Sequence, residues 1–127
     1  MHATETFARF AAHFASTPLP PEVAHHAQRA VIDWYASIYP GLDSPSVQVL
    51  TQALADDLDR GPARLVRGRA ATVRAAALIQ GTAAHAAEVD DSFRDAMCHP
   101  GAATIAAALA MAQAVGATLG TDFHITR

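Results

Sequence analysis

Residues 71–87 read ATVRAAALIQGTAAHAA, and residues 101–117 read GAATIAAALAMAQAVGA. About half of each stretch is Ala, the strongest helix former, which loses no side-chain entropy on ordering and carries no polar group to compete with the backbone. In the first, Ala75, Leu78, Ile79 and Ala83 recur at three- and four-residue spacing, the period of one helix face. A helix is expected from Ala71 or Thr72 to about Ala87, and another from about Ala102 to Val115. The second is apolar nearly all round, which places it in an interior. Ala gains little on transfer to lipid, and the stretch is shorter than the ~20 strongly apolar residues that a membrane span needs. A buried helix is the reading, with no membrane contact.

The chain before these stretches repeats the helical pattern. Phe7, Phe10, Ala11 and Phe14 make one apolar stripe over Thr4–Ser16, and the Pro-rich Thr17–Pro21 stops it. Pro21 suits the first position of a second helix, with Glu22 near the positive end of its dipole. Its inner face would be Val23, Ala27, Ala30, Val31, Trp34 and Ile38, ending at Pro40-Gly41. Ser44-Pro45 is a cap followed by a first-turn proline, opening a third helix with Val47, Leu50, Leu54 and Leu58 inward and Asp56, Asp57 and Asp59 outward. Gly61-Pro62 breaks the chain, and Ala63–Arg69 reads as an extended connector. The expected fold class is all-α, about five helices in a single domain over residues 1–127.

Composition narrows the function. The chain has 127 residues, a net charge of −3 and 51% apolar residues, too apolar for disorder and too short for two full domains. Ala accounts for 31 residues and Lys for none. A quarter-Ala core is poor in large anchors, so its helices must pack closely. The lone Cys98 cannot form an internal disulfide, and the N-terminus lacks the basic-then-apolar pattern of a signal peptide. A reducing, cytoplasmic setting is therefore expected. Five of the nine Arg lie between Arg60 and Arg74. With an acidic total, no Lys and no interleaved aromatic, this suits a solvated face or a contact with another protomer, and no nucleic-acid partner is expected.

The polar concentration of the second half is His85-Ala-Ala-Glu-Val-Asp-Asp-Ser92, followed by Arg94, Asp95, Cys98 and His99-Pro-Gly101. Glu88, Asp90, Asp91 and Asp95 are four carboxylates within eight residues. Their repulsion costs stability unless a cation or a shared proton offsets it. His99 can give or take a proton near neutrality. Plainer roles stay open: His99 as the satisfied first residue of a helix, and the acidic run as a solvated loop capping that helix. His85, Glu88, Asp91 and His99 have the chemistry to hold a transition metal.

These residues resemble the N-terminal part of the MmgE/PrpD family, which includes 2-methylcitrate dehydratase, cis-aconitate decarboxylase and iminodisuccinate epimerase. The resemblance rests on Leu19-Pro-Pro-Glu-Val23, Ala30-Val-Ile-Asp-Trp34, Gly81-Thr-Ala-Ala-His85, the acidic run, and His99-Pro-Gly101. The family's run usually reads His-x-x-Asp-Phe-Asp-Asp-Thr with His-Pro several residues later. This chain has Glu88, Val89 and Ser92 where the family has Asp, Phe and Thr. The resemblance implies catalytic roles for His99 and Glu88, and substrate hydrogen bonding by Asp90, Asp91 and Ser92. Arg94 is a candidate carboxylate clamp, because a guanidinium fork fits that shape. It further implies a lyase, isomerase or cyclase that moves protons beside a carboxylate or carbonyl of a small molecule, with neither metal nor other cofactor.

Family members also use a later His, later Lys residues and a lid domain, and their helical domain continues past this segment. Gly120–Arg127 departs from the amphipathic helix that would follow in the family. A homodimer, a higher oligomer, or a complex with a chain supplying the rest of the fold is therefore expected. The alternative function is a non-catalytic binding or assembly module, or one part of a split or truncated enzyme.

Overall fold

A computed structural model of the chain describes residues 2–14, 17–119 and 125–126. Five α-helices carry the architecture: α1 (Ala3–Phe14), α2 (Pro21–Gly41), α3 (Pro45–Ala53), α4 (Val73–His85) and α5 (Pro100–Val115). Four short strands accompany them: β1 (Leu58–Arg64), β2 (Ala70–Ala71), β3 (Thr118–Leu119) and β4 (Ile125–Thr126). Among the described residues no helix is long and apolar enough to cross a membrane.

Helix α4 is the centre, with α2, α3 and α5 packed around it. It buries Ala75, Ala76, Ile79, Gln80, Ala83 and Ala84 against Trp34 and Ile38 of α2, Val47 of α3, and Ala102, Ala106 and Ala110 of α5. Ile38 is the only large side chain that is fully buried among the described residues. Small side chains bring the backbones together, as the composition requires. At the α2–α4 crossing a Cβ on Gly41 would lie 1.9 Å from the Ala83 carbonyl oxygen, and at the α4–α5 crossing one on Gly81 would lie 3.0 Å from that of Ala102. Helix α4 is thus held between two neighbours at two glycines, within a few residues of its carboxyl end.

The expected Ser44 cap forms, and Thr72 caps α4 in the same way. The Ser44 hydroxyl accepts from the Val47 N–H at 3.4 Å, and the Thr72 hydroxyl accepts from the Ala75 N–H at 3.2 Å, satisfying amides that the first helical turn leaves unpaired. Thr72 also donates to Asp57 at 3.0 Å, which ties the start of α4 to the preceding hairpin.

Four local features differ from the helical reading. Helix α3 stops at Ala53, and a single 3₁₀ turn, Ala55–Asp57, leads into β1, so Leu58 is buried from a strand rather than a helix face. Residues 58–71 form an antiparallel hairpin, with Leu58 and Ala63 both opposite Ala71 across an irregularity, where Asp59 and Gly61 take positive φ. The aromatic stripe of α1 finds no core: none of its residues is buried, and Phe7 is 71% exposed. Helix α4 ends at His85, and α5 begins at Pro100, a proline in its first turn. The segment Gly120–Arg127 is described only at Ile125–Thr126, which pairs with Thr118–Leu119; the rest of the expected departure from helix lies outside the described residues.

The hairpin also accounts for the Arg run. Arg67 grips Asp43 with both terminal nitrogens at 2.8 Å, Arg69 grips Asp59 at 2.9 and 2.7 Å, and Arg74 pairs with Asp57. These hydrogen bonds hold the three carboxyls below the ordinary aspartate range and raise Arg67 and Arg69. Three of the five guanidinium groups are matched by carboxylates within the chain.

Candidate functional site

Between α4 and α5 the chain makes a 14-residue connection, 86–99, that returns to its own start. His85 is the last residue of α4, and His99 immediately precedes α5. Antiparallel packing of the two helices sets these ends side by side, with imidazole centroids 4.7 Å apart and planes at 55°. Between the rings lies Asp90, whose side chain is 2% exposed. Its oxygens are 3.1 and 3.2 Å from Nδ1 of His85, and Oδ1 is 3.4 Å from Nδ1 of His99. The His99 contact lacks the alignment of a hydrogen bond, and that nitrogen is buried without another partner. An ionised carboxylate only accepts, so a hydrogen bond at this contact is donated by Nδ1 of His85.

Asp91, the next residue, has a different task. Its carboxylate accepts from the Gly101 N–H at 3.0 and 3.2 Å, satisfying a first-turn amide and placing negative charge at the positive end of α5. A side chain on Gly101 would collide with it at 2.6 Å. The connection is closed again by paired backbone bonds between Phe93 and Cys98, 2.8 and 3.3 Å, around the 3₁₀ turn Arg94–Ala96, with Met97 in the left-handed region.

Both imidazoles open onto a groove of 790 Å³ between α4 and α5, lined also by Ser46, Leu78, Thr82 and Ala103. No Arg is among its lining residues. On the other side, His99 borders a smaller cleft of 280 Å³ with Ser92, Arg94, Met97 and Cys98.

Of the residues the sequence singled out, His99 and Asp90 meet directly, and Ser92 and Arg94 lie beside His99 in the smaller cleft. Asp91 caps α5, the plainer role left open for the acidic run. Glu88 is exposed at φ 52° and makes no side-chain hydrogen bond or ion pair among the described residues. His85, named from the sequence only as a candidate metal ligand, was left out of the catalytic and substrate-binding residues. Its five-residue separation from Asp90 matches no helix-face spacing, because the contact forms only where the helix has ended and the chain reverses. The His-x-x-acid spacing drew attention to Glu88 instead.

This arrangement, two histidines at facing helix ends with an acidic turn between them, sits in a chain that matches the MmgE/PrpD N-terminal domain over residues 5–125. The chain belongs to the MmgE/PrpD family. Among curated proteins and among solved structures, nothing matches it.

Proposed function

We propose that the His85–Asp90–His99 cluster is a proton-transfer centre, and that the protein is a lyase, isomerase or cyclase acting beside a carboxylate or carbonyl of a small organic acid or pathway intermediate. The observation that carries this reading is the buried Asp90 carboxylate between two imidazoles at the mouth of a groove. Asp90 fixes ring orientation and stabilises the positive charge a ring acquires on taking a proton, as the acid does in other His–Asp pairs. The Nε2 lone pair of one ring removes a proton from the carbon next to the carbonyl, and the C–H electrons pass into an enolate. The second ring enters as the imidazolium and gives up its proton, either to the hydroxyl oxygen that departs as the enolate electrons form C=C and the C–O bond breaks, or to a neighbouring carbon, where the enolate electrons form the new C–H bond. Rings 4.7 Å apart can address adjacent atoms of one substrate. In this reading Ser92 and Arg94, which border His99 in the smaller cleft and not in the groove, hold a polar end of a substrate that reaches past His99, and Glu88 is the residue of the family-derived set with least structural support.

The test is a thermal-shift screen of the purified chain with small mono-, di- and tricarboxylic acids, wild type beside His99→Ala. The proposal predicts ligands that stabilise the wild type and lose most of that effect in the variant. Equal stabilisation of both proteins would overturn the assignment of His99.

The second reading, a module for assembly, is supported by a different observation. Phe7, Phe10 and Phe14 form one exposed face of α1, and each Phe gains about 1.5–3 kcal/mol on full burial. We therefore also propose that the chain works as a homodimer or higher oligomer, covering this face.

A further inference from the structure

We propose that His85, Asp90 and His99 form a binding site for one divalent transition ion of the Zn²⁺ class, and that the ion holds the two imidazoles out of proton transfer. The donor atoms, one from each residue, lie within 4.8 Å of one another. Around a tetrahedral ion with bonds of about 2.0–2.1 Å, neighbouring donors stand about 3.3–3.4 Å apart. The Asp90 oxygens are already 3.1 and 3.4 Å from the two Nδ1 atoms, so closing the site requires that the two rings draw together and that the ion displace the proton by which His85 Nδ1 bonds Asp90.

Two independent features point the same way. A hydrogen-bonded His–Asp pair accounts for His85 but not for His99, whose Nδ1 is buried without a hydrogen-bond partner. An unpaired buried polar atom is destabilising, and an ion bound by its lone pair would remove that cost. The local field also favours a cation. The carboxyl end of α4 at His85 is the negative end of its dipole, and the positive end of α5 is offset by Asp91 through the Gly101 amide. Two imidazoles and one carboxylate are a donor set suited to Zn²⁺. They leave a fourth position for water or an oxygen from the adjoining groove. The set differs from that suggested by the sequence, in which Glu88 and Asp91 stood in place of Asp90.

An ion that takes the Nδ1 lone pairs neutralises Asp90 and fixes both rings, so the bound form is the inactive one. The inhibitory effect rests on the proposed proton-transfer function, whereas binding itself is read without turnover and stands apart from it. Chelator-treated protein is titrated with Zn²⁺ by calorimetry and with Co²⁺ by visible absorption. The expected result is one ion per chain, with a tetrahedral Co²⁺ spectrum. His85→Ala and His99→Ala should each weaken binding by about tenfold or more, with circular dichroism confirming that both variants fold. The neighbouring exposed histidines His25 and His26 of α2 serve as the control, and the double change His25→Ala with His26→Ala should leave affinity unchanged. Absence of saturable binding, or binding that survives His85→Ala and His99→Ala, or binding lost with the His25/His26 pair, would each overturn the proposal. If Zn²⁺ binds as expected and the acid screen shows no His99-dependent ligand, the metal site stands while the proton-transfer reading fails.

Discussion

Gly41→Ala should destabilise this protein, although the same change in most helices is neutral or favourable. Ala exceeds Gly by about 0.8–1.0 kcal/mol in helix propensity, and Gly41 closes α2. The added Cβ would sit 1.9 Å from the Ala83 carbonyl oxygen, 2.9 Å from its carbon and 3.2 Å from the Ala86 Cβ. The obstacle is backbone in the middle of a helix contact, so no side chain can swing aside. Relief requires α2 and α4 to separate by more than 1 Å (~1.3 Å) at the crossing, beyond what a close-packed interior absorbs without loss of contacts. Overpacking typically costs about 1–3 kcal/mol, and an obstruction by backbone belongs at the upper end. For a chain of this length about 3 kcal/mol corresponds to a fall of roughly 10 °C in Tm. The displaced segment ends at His85, so the His85–Asp90 contact should loosen as well. Differential scanning calorimetry of wild type, Gly41→Ala and Gly81→Ala provides the check, with the second variant losing less because its contact is 3.0 Å. A Gly41→Ala protein as stable as wild type would refute the claim that close backbone approach organises the core.

Two further outcomes follow from particular contacts. Because Asp43, Asp57 and Asp59 are held below the ordinary carboxylate range by Arg67, Arg74 and Arg69, the folded state binds fewer protons than the unfolded one. Their stabilisation is complete above the unfolded value of about 3.9 and is lost as pH falls through the lower folded values. Urea titrations at descending pH should show that loss, reduced in Asp57→Asn. Light scattering at micromolar concentration should give a dimer or larger species, converted toward monomer by Phe7→Ser with Phe10→Ser; a monomeric wild type would dismiss association through α1.

Helix propensity and apolar spacing made α2, α4 and α5 legible, because in those segments the local preference and the tertiary packing agree. The hairpin at 58–71 was hidden because Leu58 continues the helical spacing of Val47, Leu50 and Leu54, and only Gly61-Pro62 announced a break. What decides that region is tertiary: Thr72 and Arg74 hold Asp57, and Arg69 holds Asp59. The stripe of α1 was read correctly as amphipathic, but periodicity names a face without naming what covers it. In the site, the family pattern led to His99, Asp90 and Asp91, and Asp91 takes the capping role that was the plainer reading of the acidic run as a whole. The pairing of His85 with Asp90 depends on how two helix ends meet, which residue spacing does not encode.

The central claim is that one buried carboxylate orients the His85 imidazole and lies against that of His99, 3.4 Å from its Nδ1, at the mouth of the groove. It is tested most directly by side-chain ¹H–¹⁵N correlation spectra of the histidines in chelator-treated protein, wild type and Asp90→Asn. The account predicts that His85 carries its proton on Nδ1 in the wild type, and that the His85 and His99 signals both shift on substitution while those of His25 and His26 stay in place. Unchanged His85 and His99 signals in a folded Asp90→Asn protein would contradict it.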